Sequence, residues 1–163
     1  MDQKPFKYDF MRYNQYGVLR PNWPFKLSLA FLCRHIVVLV ILGAMMLKRS
    51  SGTEMANILP LLDKSYIIAD LPAVALVYVM GARRPHAGAG LRWIWRHGRE
   101  MIFCSIALFF LITLYRNGLA FALYQPIEWM MIAGNVVVAY VAMSRYVRDL
   151  LAEFPPPPDA DPG

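Results

Sequence analysis

The sequence is short of charge, and shorter still of acid. Asp, Glu, Lys and Arg make up 17% of its 163 residues, and 11 acidic side chains face 17 basic ones, for a formal net charge of +6. Soluble domains carry about 25% charged residues. Only two cysteines are present, which excludes a small scaffold built on disulfides. The three histidines are His35, His86 and His97. His35 has no second histidine at matching depth, so bis-His haem ligation is excluded. There is no CxxC, HExxH, Walker A, GxGxxG or GxSxG pattern, and no acidic cluster suited to metal-dependent phosphoryl transfer. These gaps argue against an enzyme, and no cofactor is expected. Apolar residues are plentiful at 58%, with a mean hydropathy of +0.38. Long apolar runs exclude a disordered chain and leave a small integral membrane protein.

A helix crossing the hydrocarbon core needs about 20 mostly apolar residues. Four runs qualify or nearly do, and the chain is expected to be all-α and polytopic. The first is 27–47, interrupted by Arg34 and His35. The second is 66–82, with Asp70 and Pro72 inside it. Its start is blurred, because the apolar stretch 58–62 precedes Asp63 and Lys64. The third has its apolar centre at 101–115, which reaches only about 22 Å, so it borrows flanking residues to span 98–116. The fourth is 129–146. The competing count is three, with the second or third run lying in the interface. The first 24 residues are polar and aromatic rather than a short basic stretch feeding an apolar core. The first run is therefore expected to stay as a membrane helix.

Basic residues set the orientation. Lys4, Lys7, Arg12, Arg20 and Lys26 precede the first run, Arg83, Arg84, Arg92, Arg96 and Arg99 lie between the second and third, and Arg145 and Arg148 follow the fourth. The opposite side holds Lys48, Arg49, Lys64 and Arg116, and Arg34 lies inside a run. Twelve against four puts both termini in the cytoplasm. The positive charge is thus a topology signal, and no nucleic-acid partner is implied.

The arm 1–26 carries Phe6, Tyr8, Phe10, Tyr13, Tyr16 and Trp23 among its basic residues. Such aromatics favour the headgroup layer, so an irregular arm on the inner leaflet is expected. Pro21 and Pro24 should keep it from running as one helix into the first span. The segment 91–100 has helical spacing, with basic residues on one side. Arg92, Trp93, Trp95, Arg96 and Arg99 are the expected lipid-headgroup contacts. Four prolines at 155–158 impose polyproline II, and the tail 148–163 is expected to be disordered.

An ionisable residue inside a span is a site hypothesis by default. Counting rise per residue along straight helices sorts these groups into two layers. Asp70, Thr113, Arg116, Glu128 and Asn135 fall in an outer layer, where Glu128 can pair with Arg116, and Asp70 with Asn135 or Arg116. Arg34, His35, Cys104 and Ser105 fall in an inner layer that contains no acid. Arg34 and Asp70 then differ by about 14 Å in depth. Arg34 is expected to snorkel or to hold an anion, and His35 to hydrogen-bond across helices, with Ser105 as the partner. The small residues Ala69 and Ala73, and the stripe Glu128, Met131, Asn135, Ala139 and Ala142, mark helix–helix contact faces. Cys33 and Cys104 are expected to be free thiols on the reducing side.

The run Tyr16-Gly17-Val18-Leu19-Arg20-Pro21, followed by an apolar helix holding Arg34-His35, resembles the start of the YfeZ-type family over residues 1–45. These are small multi-pass inner-membrane proteins of proteobacteria with no assigned activity. The resemblance implies a bacterial inner membrane and a helical bundle, and it carries over no catalytic residue. The expected role is a non-catalytic accessory or assembly component of a larger membrane complex. Membrane lipids, and a membrane-protein partner or a second copy, are its expected contacts. The main rival is a small oligomeric transporter or channel using Asp70 and Asn135, or Arg34 and His35. A third reading, a lipid-processing enzyme, needs His35 with Ser105 or Cys104.

Overall fold

The computed structural model describes residues 7–47, 64–118 and 126–155. Over these residues the chain is all-helical, with a short 3-10 turn at Phe10–Arg12 and no strand. The helices are α1 (Trp23–Leu32), α2 (Arg34–Leu47), α3 (Lys64–Gly81), α4 (Ala89–Arg96), α5 (Gly98–Asn117), α6 (Pro126–Met143) and α7 (Arg145–Ala152). Helices α5 and α6 are each long and apolar enough to cross a membrane. The bent pair α1–α2 meets the same test as a unit, and α3 is a shorter apolar helix. Two to three candidate spans are therefore present among the described residues.

The first expected span is not one helix. Its chain turns by 68° at Cys33, between α1 and α2. It also begins earlier than Leu27. The side chain of Asn22 accepts a hydrogen bond from the Phe25 amide at 3.2 Å and caps α1. Pro24 sits in the first turn, where no backbone donor is needed. Pro24 thus helps to start the helix, and the residues before Asn22 do not run into it as one helix.

The bundle core is built on α3 and α5, which share the widest helix contact. Ala69 and Ala73 are buried on α3 and let the two backbones approach. Leu76 and Val79 extend that face, and Ile102, Ile106 and Phe109 of α5 fill it. Helix α1 lays Phe25, Leu29 and Leu32 onto this pair. Helix α6 turns Asn135, Val138 and Ala142 inward. Gly134 is needed for close approach, because a Cβ there would collide with the Phe31 ring. At Gly98 a Cβ would come within 2.8 Å of Leu151 and 2.9 Å of Leu76. The outward faces are apolar: Val37, Val40 and Ile41 on α2, and Val136, Val137 and Met143 on α6, are exposed. An exterior of this kind suits lipid.

The other departure is at one end of the bundle, where the expected arm and tail form a packed polar layer. Ser144 accepts from the Val147 amide at 3.3 Å and starts a new helix, α7. Val147, Leu150 and Leu151 are buried, so residues 148–155 are ordered and packed, not a disordered tail. The rest of the expected tail, 156–163, and the stretch 58–62 lie outside the described residues. The arm joins this layer through hydrogen bonds to α7 and its flanks, and leaves Phe10, Met11 and Trp23 exposed. Arg83 donates to the Leu19 carbonyl at 2.8 Å and to the Glu153 carbonyl at 2.6 Å. Glu153 in turn accepts from the Leu19 amide at 2.8 Å. Tyr146 donates its hydroxyl to the Arg20 carbonyl at 2.7 Å. Burial brings the Arg83 pKa down to about 10, opposed by Glu153, and leaves it charged at neutral pH.

A surface latch closes the layer. Asp149 accepts from Lys7 at 2.7 Å and from the Tyr8 hydroxyl at 2.6 Å. These two bonds hold its carboxyl below the ordinary range, and the same carboxylate pushes Tyr8 up to about 12. A lowered acid stabilises the fold above its ordinary value, near 3.9, and that contribution fades as pH falls through the folded value. The latched arm should therefore resist limited proteolysis at neutral pH and become cleavable on acidification. Asp149→Asn should be cleaved readily at neutral pH, and a protected arm in that variant would dismiss the latch. Trp95→Phe removes the indole donor that reaches the Leu150 and Glu153 carbonyls. Thermal unfolding in mild detergent should show a loss of about 1–3 kcal/mol.

Candidate functional site

The polar groups of the apolar runs gather where α1 stops. In an unbroken helix, the His35 and Ile36 amides would bond to the Phe31 and Leu32 carbonyls. Here both turn to Asp70 of α3. Its Oδ2 accepts from the His35 amide at 2.9 Å and from the Ile36 amide at 3.1 Å. Its Oδ1 lies 3.0 Å from His35 Nδ1. With Asp70 ionised, Nδ1 carries the proton and donates. The Phe31 carbonyl, released by the break, accepts from Arg34 Nη1 at 3.0 Å. One carboxylate thus replaces two helix hydrogen bonds, and one guanidinium takes a freed acceptor. It is an N-cap supplied from another helix, at the positive end of the α2 dipole.

Asp70 is 2% exposed. A carboxylate so deep is tolerable only when its oxygens are bonded, and here both are. Pro72 follows two residues later, yet α3 continues through it. Around the pair stands an aromatic wall. Tyr66 stacks on His35 with ring centroids 5.1 Å apart, and its hydroxyl lies 3.2 Å from Thr113 Oγ1. Arg34 lies over Phe31 at 4.5 Å and over Phe109 at 4.7 Å. Arg116 lies over Tyr66 at 5.8 Å. Ring faces against a guanidinium offset part of its burial cost.

The structure therefore joins Arg34, His35, Asp70 and Arg116 through Tyr66 and Phe109. Three expectations give way. Asp70 pairs with His35, not with Asn135 or Arg116. His35 bonds to Asp70, not to Ser105, whose hydroxyl is buried without a hydrogen-bond partner. Arg34 lies over two rings rather than snorkelling free, with its Nε and Nη2 buried and without a hydrogen-bond partner among the described residues. The depths of Arg34 and Asp70 converge because both helices start earlier than the apolar runs suggested: α1 at Trp23 sets Arg34 about 6 Å deeper, and α3 at Lys64 sets Asp70 about 3 Å deeper. Asn135 is fully buried and donates to Met131 of its own helix at 2.9 Å. Glu128 stands half-buried in the first turn of α6.

The expected headgroup set also divides. Trp95 is 0% exposed and binds protein carbonyls, with Arg83 at 4.7 Å over its ring. Arg92 donates to the Pro85, Ala87 and Pro155 carbonyls and is spent on internal bonds. Trp95 is thus withdrawn from the surface, while Arg92 stays half-buried. Trp93 and Arg96 are exposed, and Arg99 is half-buried. Sequence reasoning passed over Tyr66 and Phe109 because aromatics in apolar runs carry no signal of their own. It passed over Arg83 and Glu153 because polar residues at span ends are ordinary. Cys33 is buried, Cys104 is exposed, and both are free thiols. Among the described residues no group of three metal-ligating side chains stands together.

A family model described as a protein of unknown function, DUF2919, matches residues 8–153. The chain belongs to that family. No curated protein and no solved structure matches it. The DUF2919 match takes in both the Asp70 cluster and the packed end layer, from Tyr8 to Glu153.

If Asp70 is the cap, Asp70→Ala should strand two buried amides and cost several kcal/mol, since each orphaned group costs about 1–3 kcal/mol. His35→Ala should cost less, because the amide bonds survive. A double-mutant cycle by thermal unfolding in detergent isolates the side-chain pair. Equal losses in the two single variants would show that the amide bonds contribute little.

Proposed function

We propose that this chain is a non-catalytic, multi-pass protein of the bacterial inner membrane that serves as an accessory or assembly component of a larger membrane complex. The finer likeness, to the YfeZ-type proteins, belongs to this reading. So do four crossings, by α1–α2, α3, α5 and α6, and cytoplasmic termini, which rest on the basic-residue asymmetry.

One observation carries the role. Asp70 holds α2 away from the α1 axis by 68°, and α2 packs chiefly on α3 and α1. Val37, Leu39, Val40 and Ile41 face outward. The chain spends a buried carboxylate to hold that apolar surface at a fixed angle. A structural cap of this kind suits an element that must meet a neighbour in one orientation.

A photo-crosslinker at Val40, in native membranes, should form a stoichiometric protein adduct, and the partner should co-purify in mild detergent. A clean monomer with adducts to lipid alone would overturn the role. A cytoplasmic reporter fused at Gly163 should be active, and a periplasmic reporter there would reverse the orientation.

A second reading, a small oligomeric transport subunit, has its own support. Discontinuous membrane helices, with their half-helix ends aimed at charges, are where transport proteins place their sites. His35, Asp70 and Arg34 stand at such a break. Asp70→Asn should then abolish an ion- or proton-coupled flux while the protein still folds. Unchanged flux would remove Asp70 from any such path.

A further inference from the structure

We infer that the groove between the start of α5 and α7 binds the phosphate of an anionic membrane phospholipid, through Arg96, Arg99 and Arg148. The groove has a volume of about 390 Å³ and is lined by these three arginines with Glu100, Leu151 and Ala152. Two of its arginines come from the α4–α5 corner and the third from α7. Only the packing of α7 brings them together, and α7 lies where the sequence predicted disorder.

The charges do not balance within the chain. Glu100 is the one carboxylate lining the groove. Among the described residues none of the three arginines forms an ion pair. Asp149, next to Arg148, acts on it electrostatically but is already bonded to Lys7 and Tyr8. Three guanidiniums against one carboxylate repel one another unless an anion joins them. Arginine's planar fork suits a phosphate.

Position chooses a lipid over a soluble phosphate. Arg99 is the second residue of a candidate membrane span that starts at Gly98. The groove therefore opens at the level of the headgroups. Its floor of Leu151 and Ala152 is apolar, and exposed Trp93 stands on the same lead-in helix, α4. The inference rests on reading α5 as a membrane span.

The test uses the full chain, purified in neutral detergent and stripped of lipid. It is titrated separately with dioleoylphosphatidylglycerol, dioleoylphosphatidylcholine and potassium phosphate. Native mass spectrometry should show one phosphatidylglycerol retained in preference to phosphatidylcholine. Arg99→Gln and Arg148→Gln should each weaken that binding about fivefold. Arg145→Gln, on exposed α7 surface outside the groove, should leave it unchanged. Should Arg99→Gln fail to fold, Arg96→Gln supplies the same reading from the exposed end of α4. Equal retention of the two lipids, or full binding by the groove variants, would overturn the proposal. Binding of potassium phosphate with no preference for phosphatidylglycerol would also overturn it, by assigning the groove to a soluble anion. A reporter fusion at Gly163, run in parallel, tests the orientation separately. Lipid selectivity with a periplasmic terminus would keep the site and reject the topology.

Discussion

A single buried carboxylate sets the shape of this protein. Asp70 accepts two amides at the start of α2 and pairs with the ring of His35. Where backbone groups are shut off from water, a helix can stop only if another side chain receives its open amides. Asp70 is that side chain, and the 68° turn at Cys33 follows. Arg34 completes the exchange by binding the Phe31 carbonyl, which the turn releases. A break that would otherwise cost several kcal/mol in orphaned groups becomes a fixed joint.

The joint depends on close packing around it. Ala69 and Ala73 bring α3 against the bundle, which places Asp70 at the break. Gly134 makes room for the Phe31 ring, and that ring supports the Arg34 guanidinium. Small residues on two helices thus position a charge cluster on two others. At the far end a different kind of contact operates. There Arg83, Trp95, Arg92 and Glu153 bind backbone carbonyls and amides that no helix satisfies. The two ends share one logic, because each uses side chains to complete a backbone that regular helix leaves open.

Much of the architecture was legible in the sequence, and the reasons are local. Apolar runs of sufficient length gave α5 and α6 close to their observed bounds. Ala69 and Ala73 marked a contact face, since small residues in lipid have few other uses. The residues of the candidate site were also visible one by one, because Arg34, His35 and Asp70 are conspicuous in apolar surroundings. Their pairing was not. It joins residues 35 apart in the chain and needs a bend that neither proline nor glycine announces. The end layer was missed for a related reason. Residues 145–152 form a strongly amphipathic helix, but they adjoin an apolar run and a proline cluster that masked it.

Composition and periodicity by themselves determined an all-helical chain suited to lipid, because burial of apolar side chains and satisfaction of backbone bonds within each helix are properties of consecutive residues. Tertiary structure alone decided where α1 breaks, which base Asp70 meets, and which tryptophans and arginines face the interior. Those outcomes depend on carbonyls, amides and charges supplied by distant segments. A sequence records that such groups exist, but only packing fixes the few ångströms over which a hydrogen bond forms.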